Sequence, residues 1–192
     1  MKASAKPRNL LRGVVLLCRG RVEGFDEIGT GAQDFLSSLA PMIAFPLVGS
    51  LLMLSRGLPR DAATDFLATL CAVLAPPVIS HALARYWRRE AMWAHFATAF
   101  NWCQWMLPLI AAVLLLIGAA LLHAGAPIAV LGLIGLLLLA GYALWLHWFL
   151  ARHGLGLPPG RSAVLVIVVN LGTMVLAVGP QLAQRYLIGG AG

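Results

Sequence analysis

"AFNWCQWMLPLIAAVLLLIGAALLHAGAPIAVLGLIGLLLLAGYALWLHWFL", residues 99–150, contains no lysine, arginine, aspartate or glutamate. About 20 consecutive apolar residues are enough for one helix to cross the hydrocarbon of a bilayer. The stretch is long enough for two crossings, over roughly 96–122 and 127–150, and these are the clearest spans in the chain. Three further apolar runs of suitable length flank it, at roughly 35–54, 65–84 and 162–180. The second of the five is the least regular, because Pro76 and Pro77 interrupt it. No segment repeats with a period of 20–50 residues.

Composition agrees with this reading. The chain is 60% hydrophobic and 11% charged, with mean hydropathy +0.86, whereas a soluble domain is about half apolar and a quarter charged. The expectation is an all-α integral membrane bundle of five transmembrane helices with an N-terminal amphipathic interfacial helix. Residues 1–34 form an arm and polar hinge, and 35–192 the membrane domain.

A net charge of +7 in a soluble protein would suggest nucleic acid. Here the basic residues flank apolar spans instead of clustering in one patch, which argues against that partner. Lys2, Lys6, Arg8, Arg12, Arg19 and Arg21 precede span one. Arg85, Arg88 and Arg89 follow span two, and Arg152 and Arg161 follow span four. With five spans these three segments share one side, leaving only Arg56, Arg60 and Arg185 for the other. The positive-inside bias therefore places the N-terminus in the cytoplasm and the C-terminus outside. Compactness, richness in Ala, Leu and Gly, and the lack of eukaryotic sorting features point to a bacterial inner membrane.

In the arm, "KPRNLLRGVVLLCRG" (6–20) has an apolar core between Arg12 and Arg19 too short for a secretory signal, so it is expected to be retained. Projected as a helix, Arg8, Arg12 and Arg19 share an arc opposite Leu10, Val14, Leu17, Cys18 and Phe25. That pattern suits a helix lying on anionic lipid, with the three arginines as surface contacts. Arg21 intrudes on the apolar side, and Gly13, Gly20 and Gly24 weaken helicity, so a flexible basic arm is the other reading. "VEGFDEIGTGAQD" (22–34) holds four of the seven acids and reads as a solvated connector without calcium-loop spacing.

Chemistry-bearing patterns are sparse. No acidic or basic residue lies inside a span, which disfavours carboxylate-based proton coupling or hydrolysis. Ser37, Ser38, Ser50 and Ser80 lack a nucleophile-elbow setting, and "GTGAQD" lacks the ending of a phosphate loop. No catalytic residue is assigned. Cys18, Cys71 and Cys103 form no CxxC pair, so no metal is assigned and they read as soft core residues. His81 and His147 sit at similar depth near the same ends of spans two and four, as a bis-histidine haem would require. The simpler reading of "WLHWF" (145–149) is an interfacial aromatic belt, and no cofactor is assigned.

Proline gives a stronger signal. Pro46, Pro76, Pro77 and Pro108 lie near the middles of spans one to three, and each removes a backbone donor that neighbours must compensate. Asn101, Gln104 and Pro108 share one face of span three, and Asn170 with Thr173 lies within span five. Two readings follow: amides joining helices by hydrogen bonds, or a proline-bent polar pocket for a small molecule or lipid headgroup. In span four, Gly132, Gly135 and Gly141 suit close packing against a neighbouring helix or a second copy.

The plan of a cytoplasmic arm, five closely spaced spans and short loops resembles the Yip-type five-span membrane proteins. The stretches that carry the likeness are "FLSSLAPMIAFPLVG" (35–49), "AFNWCQWMLP" (99–108) and "LGLPPGRSAVLVIVVN" (155–170). The resemblance implies a five-helix membrane fold; eukaryotic members associate with Rab-type GTPases in vesicle traffic, and no functional residue is carried over. The expected role is non-enzymatic: a membrane-organising or complex-associated subunit, with lipids and other membrane subunits as partners. The alternatives are a small carrier or lipid-binding protein and, third, a haem-b subunit.

Overall fold

The computed structural model describes residues 9–55, 57 and 59–189, and all regular structure among them is helical. Helix α1 (Leu10–Cys18) and a 3-10 turn (Val22–Glu27) form the arm. They are followed by α2 (Ala32–Ser55), α3 (Pro59–Tyr86), α4 (Glu90–Gln104), α5 (Met106–His123), α6 (Ile128–Gly154) and α7 (Pro159–Gly189). Five stretches are long and apolar enough to cross a membrane: Ala32–Ser55, Phe66–Tyr86, Glu90–His123, Ile128–Gly154 and Pro159–Ala177. Each overlaps one expected span. An apolar helix satisfies its own backbone donors and acceptors, which is why these sequences adopt it.

The prolines act unequally. Pro108 has no N–H to offer the Gln104 carbonyl four residues earlier, and the third crossing breaks there into α4 and α5. Trp105 N–H closes the last turn of α4 on the Trp102 carbonyl at 3.3 Å. Pro41 and Pro46 leave α2 unbroken, and Pro76 and Pro77 leave α3 unbroken. The proline pair expected to interrupt span two therefore does not. Serine hydroxyls donate beside these prolines, Ser50 to the Pro46 carbonyl at 2.9 Å and Ser80 to that of Pro77 at 3.2 Å.

In the bundle α2, α3, α7, α6 and α5 follow one another as packed neighbours, and α4 packs against α2, α3 and α6. Buried residues concentrate at the end carrying the arm. Phe96–Asn101 and Cys103 of α4, Leu146–Ala151 of α6 apart from Trp148, and Leu165 and Val169 of α7 meet there. We refer to this as the capped end. Toward the other end α5 buries no residue, and α6 buries none before Leu146. Its 18 residues make α5 about 27 Å long, close to the roughly 30 Å of hydrocarbon. Phe45, Leu52, Leu115, Leu136 and Val175 are among the large apolar residues facing outward along this part.

The arm completes the capped end. Asn9 caps α1, its Oδ1 accepting from Arg12 N–H at 3.1 Å, and its own N–H donates to Glu27 at 2.9 Å. Glu27 also pairs with Arg12 at 4.0 Å, so an acid expected in solvent sits at the positive end of a helix. Phe25 and Ile28, also within the expected solvated connector, are buried. Gly13 and Gly24 allow this: a Cβ on Gly24 would come within 2.6 Å of the Gly13 carbonyl and 2.7 Å of Leu17. The glycines that weaken α1 as a helix are its contact with the following turn. Val14 and Leu17, assigned to the membrane surface from sequence, pack into protein, with Leu10 and Cys18 against the same cluster. Arg12 and Arg19 remain exposed. Arg8 lies outside the described residues.

Candidate functional site

The amides singled out in the sequence lie on helices that the capped end brings together. Asn101 is 2% exposed and donates through Nδ2 to Ser38 Oγ at 3.0 Å, joining α4 to α2. Ser38 in turn donates to the Phe35 carbonyl at 2.6 Å. One turn further along α4, the Gln104 carboxamide lies 3.2 Å from His147 Nε2 on α6. Asn170 of α7 reaches the other ring nitrogen, Nδ1, at 3.4 Å. Gln104, His147 and Asn170 thus link three helices through one imidazole, whose ring also lies against Phe100 at 4.7 Å between centroids.

Each ring nitrogen of His147 faces a side-chain amide nitrogen. Asn170 Nδ2 also donates to the Val166 carbonyl at 2.8 Å, so its amide group faces Nδ1 with N–H. Gln104 faces Nε2 with its amide nitrogen as well, and a neutral imidazole, having one acceptor nitrogen, accepts from one of the two amides. Both nitrogens of His147 lie within reach of an amide from a neighbouring helix. His81 is exposed, with its ring against Trp93 at 4.7 Å. A fourth link joins α4 to α3: Trp93 Nε1 donates to Ser80 Oγ at 3.1 Å.

Not every candidate joins this cluster. Thr173 donates to the Val169 carbonyl of its own helix at 2.8 Å. Pro108 is exposed on α5, so its part is to break the helix. Sequence reasoning placed His147 in an aromatic belt and missed it as the bridge. The usable signal was depth, since Gln104, His147 and Asn170 all lie within the expected spans as groups that need partners.

Space decides what the cluster can hold. The cavity beside Asn101, Ser80, Pro76 and Pro77 measures about 10 Å³, no more than a single water requires. A larger apolar groove of about 450 Å³ runs between α5 and α6 past Leu114, Gly118, Leu122, Leu131, Gly132 and Gly135. None of the five candidate polar-pocket residues lines it. A Cβ on Gly132, Gly135 or Gly141 would meet nothing within 4 Å, so the close packing expected of these glycines is not made among the described residues. A cleft of about 310 Å³ at the capped end is lined by Glu23, Phe25, Asp26, His95 and His153 among others. Among the described residues no group of three or more His, Cys, Asp or Glu side chains is placed to hold a metal.

Five helical stretches long and apolar enough to cross a bilayer define a multi-pass α-helical membrane protein. No protein family model, curated protein or solved structure matches the chain.

Proposed function

We propose that this is a non-enzymatic membrane protein, a membrane-organising or complex-associated subunit that acts through helix packing and its basic arm. One observation carries the reading: the intramembrane amides are engaged with neighbouring helices, and the cavity beside Asn101 measures only about 10 Å³. Such groups act as joints between helices. The outward groove between α5 and α6, with its bare glycines, supports association with another membrane subunit or a second copy. The exposed Arg12 and Arg19 support contact with anionic lipid on the same side as Arg85, Arg88, Arg89, Arg152 and Arg161.

The proposal extends to placement and kinship: a bacterial inner membrane, N-terminus in the cytoplasm, and the Yip-type five-span plan. The bias of basic residues supports the orientation, and the short loops support the plan. Reporter fusions at the two ends test the topology, with opposite compartments expected. Affinity purification in mild detergent, with and without residues 1–25, tests the role. Partners lost with the arm while the bundle stays folded are expected; identical partners would overturn the arm's part.

The carrier reading keeps one specific observation, the size of the α5–α6 groove, which suits an apolar ligand. A thermal-shift screen of lipids and metabolites addresses it, and stabilisation abolished by Gly132→Leu would favour the carrier over the subunit.

A further inference from the structure

We propose that the loops after α3 and α6 form a site for the phosphate group of an anionic phospholipid headgroup, held by Arg88, Arg89, Arg152 and Arg161. The site rests on the membrane-surface reading of the basic residues and gives that reading a particular place and ligand.

The backbone marks the place. Four helices end alike, with a residue in the left-handed region followed by an N–H that reaches back to the carbonyl five residues earlier. These closures run from Arg21 to Leu16 at 2.9 Å, from Arg89 to Ala84 at 2.7 Å, from Ala126 to Leu121 at 3.1 Å and from Leu157 to Arg152 at 3.0 Å. The left-handed residue is Gly20 after α1, Gly125 after α5 and Gly156 after α6, with φ of 75°, 91° and 60°. After α3 it is Arg88, with φ of 57°, the only non-glycine residue of positive φ among the described residues. A side chain is strained in that conformation and glycine is not. Strain of this kind persists where the side chain has a function.

The surroundings of Arg88 supply the charge. A Cβ built on Gly156 would stand 3.8 Å from Nη1 of Arg89, so the loop after α3 lies against the loop after α6. One turn before Gly156, Arg152 holds its guanidinium 5.1 Å from the centre of the Trp148 ring. Trp148 Nε1 donates to the Pro159 carbonyl at 3.1 Å, which joins the end of α6 to the start of α7, where Arg161 follows. All four arginines are exposed. Among the described residues none of the four pairs with a carboxylate, whereas Arg12, Arg21 and Arg85 pair with Glu27, Glu23 and Glu90. The adjoining cleft holds Glu23 and Asp26. With Glu23 engaged by Arg21, Asp26 is left to offset the charge of four arginines.

Depth selects the ligand. The loop after α3 separates the crossings Phe66–Tyr86 and Glu90–His123, and the loop after α6 separates Ile128–Gly154 and Pro159–Ala177. Tyr86, Trp87 and Trp148 flank the arginines, and such aromatic residues settle at headgroup level. The anion met at that level is the phosphate diester of a lipid, and a guanidinium fork matches its oxygens. Basic pockets between helices on the cytoplasmic face bind anionic headgroups in this way. A zwitterionic headgroup would bring a further cation among the arginines, so a lipid with net negative charge is favoured.

The experiment uses the full chain in mild detergent, titrated with phosphatidylglycerol, phosphatidylcholine or inorganic phosphate. Native mass spectrometry counts bound lipid, and thermal unfolding gives a second readout. Saturable binding of one phosphatidylglycerol is expected, with weaker retention of phosphatidylcholine and no stabilisation by inorganic phosphate at matched concentration. Arg88→Gly is expected to weaken phosphatidylglycerol binding about fivefold, the share of one basic residue at a membrane surface. It should also raise the melting temperature of the lipid-free protein, because glycine relieves the left-handed strain, an opposition that a merely structural arginine would not give. Arg89→Gln with Arg152→Gln is expected to weaken binding about twentyfold or more. Arg12→Gln with Arg19→Gln tests the arm separately and should leave this binding unchanged. Binding untouched by both loop variants would overturn the site; if the arm variant alone abolished it, the membrane-surface reading would stand without the site. Equal retention of phosphatidylcholine, or equal stabilisation by inorganic phosphate, would overturn the assignment to an anionic lipid.

Discussion

The capped and open ends of this bundle are made of similar residues and behave differently. Phe96 on α4 is 1% exposed, while Leu115 on α5 is 74% exposed. In water such a contrast would show in sequence, because exposed positions are polar. In lipid it does not, since the tails are as apolar as the core. What separates the two ends is the presence of small hydrogen-bonded joints. At the capped end α4 is tied to α2 by Asn101 and Ser38, to α3 by Trp93 and Ser80, and to α6 by Gln104 and His147. At the open end the α5–α6 pair meets along leucines and bare glycines, and a groove remains beside it.

The sharpest way to break the comparison is a pair of truncations. Phe96→Ala removes a fully enclosed ring and is expected to cost about 3–5 kcal/mol. Leu115→Ala removes a side chain whose surroundings are lipid and is expected to cost less than about 0.5 kcal/mol. Denaturant or SDS titration of the purified protein, followed by tryptophan fluorescence, measures both. Equal losses would mean that α5 is packed against something the single chain does not contain.

Glycines sharpen the same contrast at smaller scale. Gly24→Ala forces a methyl group onto the Gly13 carbonyl and Leu17. The expected cost, about 1–3 kcal/mol, falls on arm docking and would appear as faster amide exchange over residues 10–28. Gly132→Ala meets open space, and helix propensity alone predicts a gain of up to about 1 kcal/mol. A large loss at Gly132 would instead reveal a partner helix seated in the groove.

Next in size is the joint between α4 and α2. A double-mutant cycle of Asn101→Leu and Ser38→Ala is expected to give a coupling of about 0.6–2 kcal/mol. The two positions lie 63 residues apart in sequence yet bond directly. A coupling indistinguishable from zero would remove the claim that amides rather than shape hold the capped end.

How far these features could be read in advance follows from the same physics. Five crossings were legible because a bilayer demands long, uncharged runs with internally satisfied backbones. Asn101 and Asn170 were legible as inward-facing groups because an amide is costly to leave unpartnered in hydrocarbon. The burial of α4 was not legible, since Phe96 and Phe100 read no differently from lipid-facing residues. Nor was the folded arm: Phe25 and Ile28 stand among acids and glycines, and their burial comes from tertiary contacts, Gly13 with Gly24 and Phe25 with His95 and Gly154. His147 was hidden by its tryptophan neighbours, which suggested a belt where the structure has a bridge.

The boundary between the two ends carries the smallest expected effect. Trp105 marks the break between α4 and α5, with its ring 5.0 Å from Phe45 of α2. Its indole Nε1 is buried and has no hydrogen-bond partner among the described residues. Burying a donor in that way costs free energy, whereas its apolar body still packs. Trp105→Phe deletes the unpaired N–H but also removes ring area, so the two terms oppose one another. The net change is expected to lie within about 1 kcal/mol of zero, where a packed tryptophan elsewhere would lose far more. Trp105→Ala, which forfeits the ring against Phe45 as well, should fall clearly below it. If Trp105→Phe alone proved as damaging as Trp105→Ala, the N–H would have a partner in the membrane, and the break in span three would be a binding position instead of a boundary.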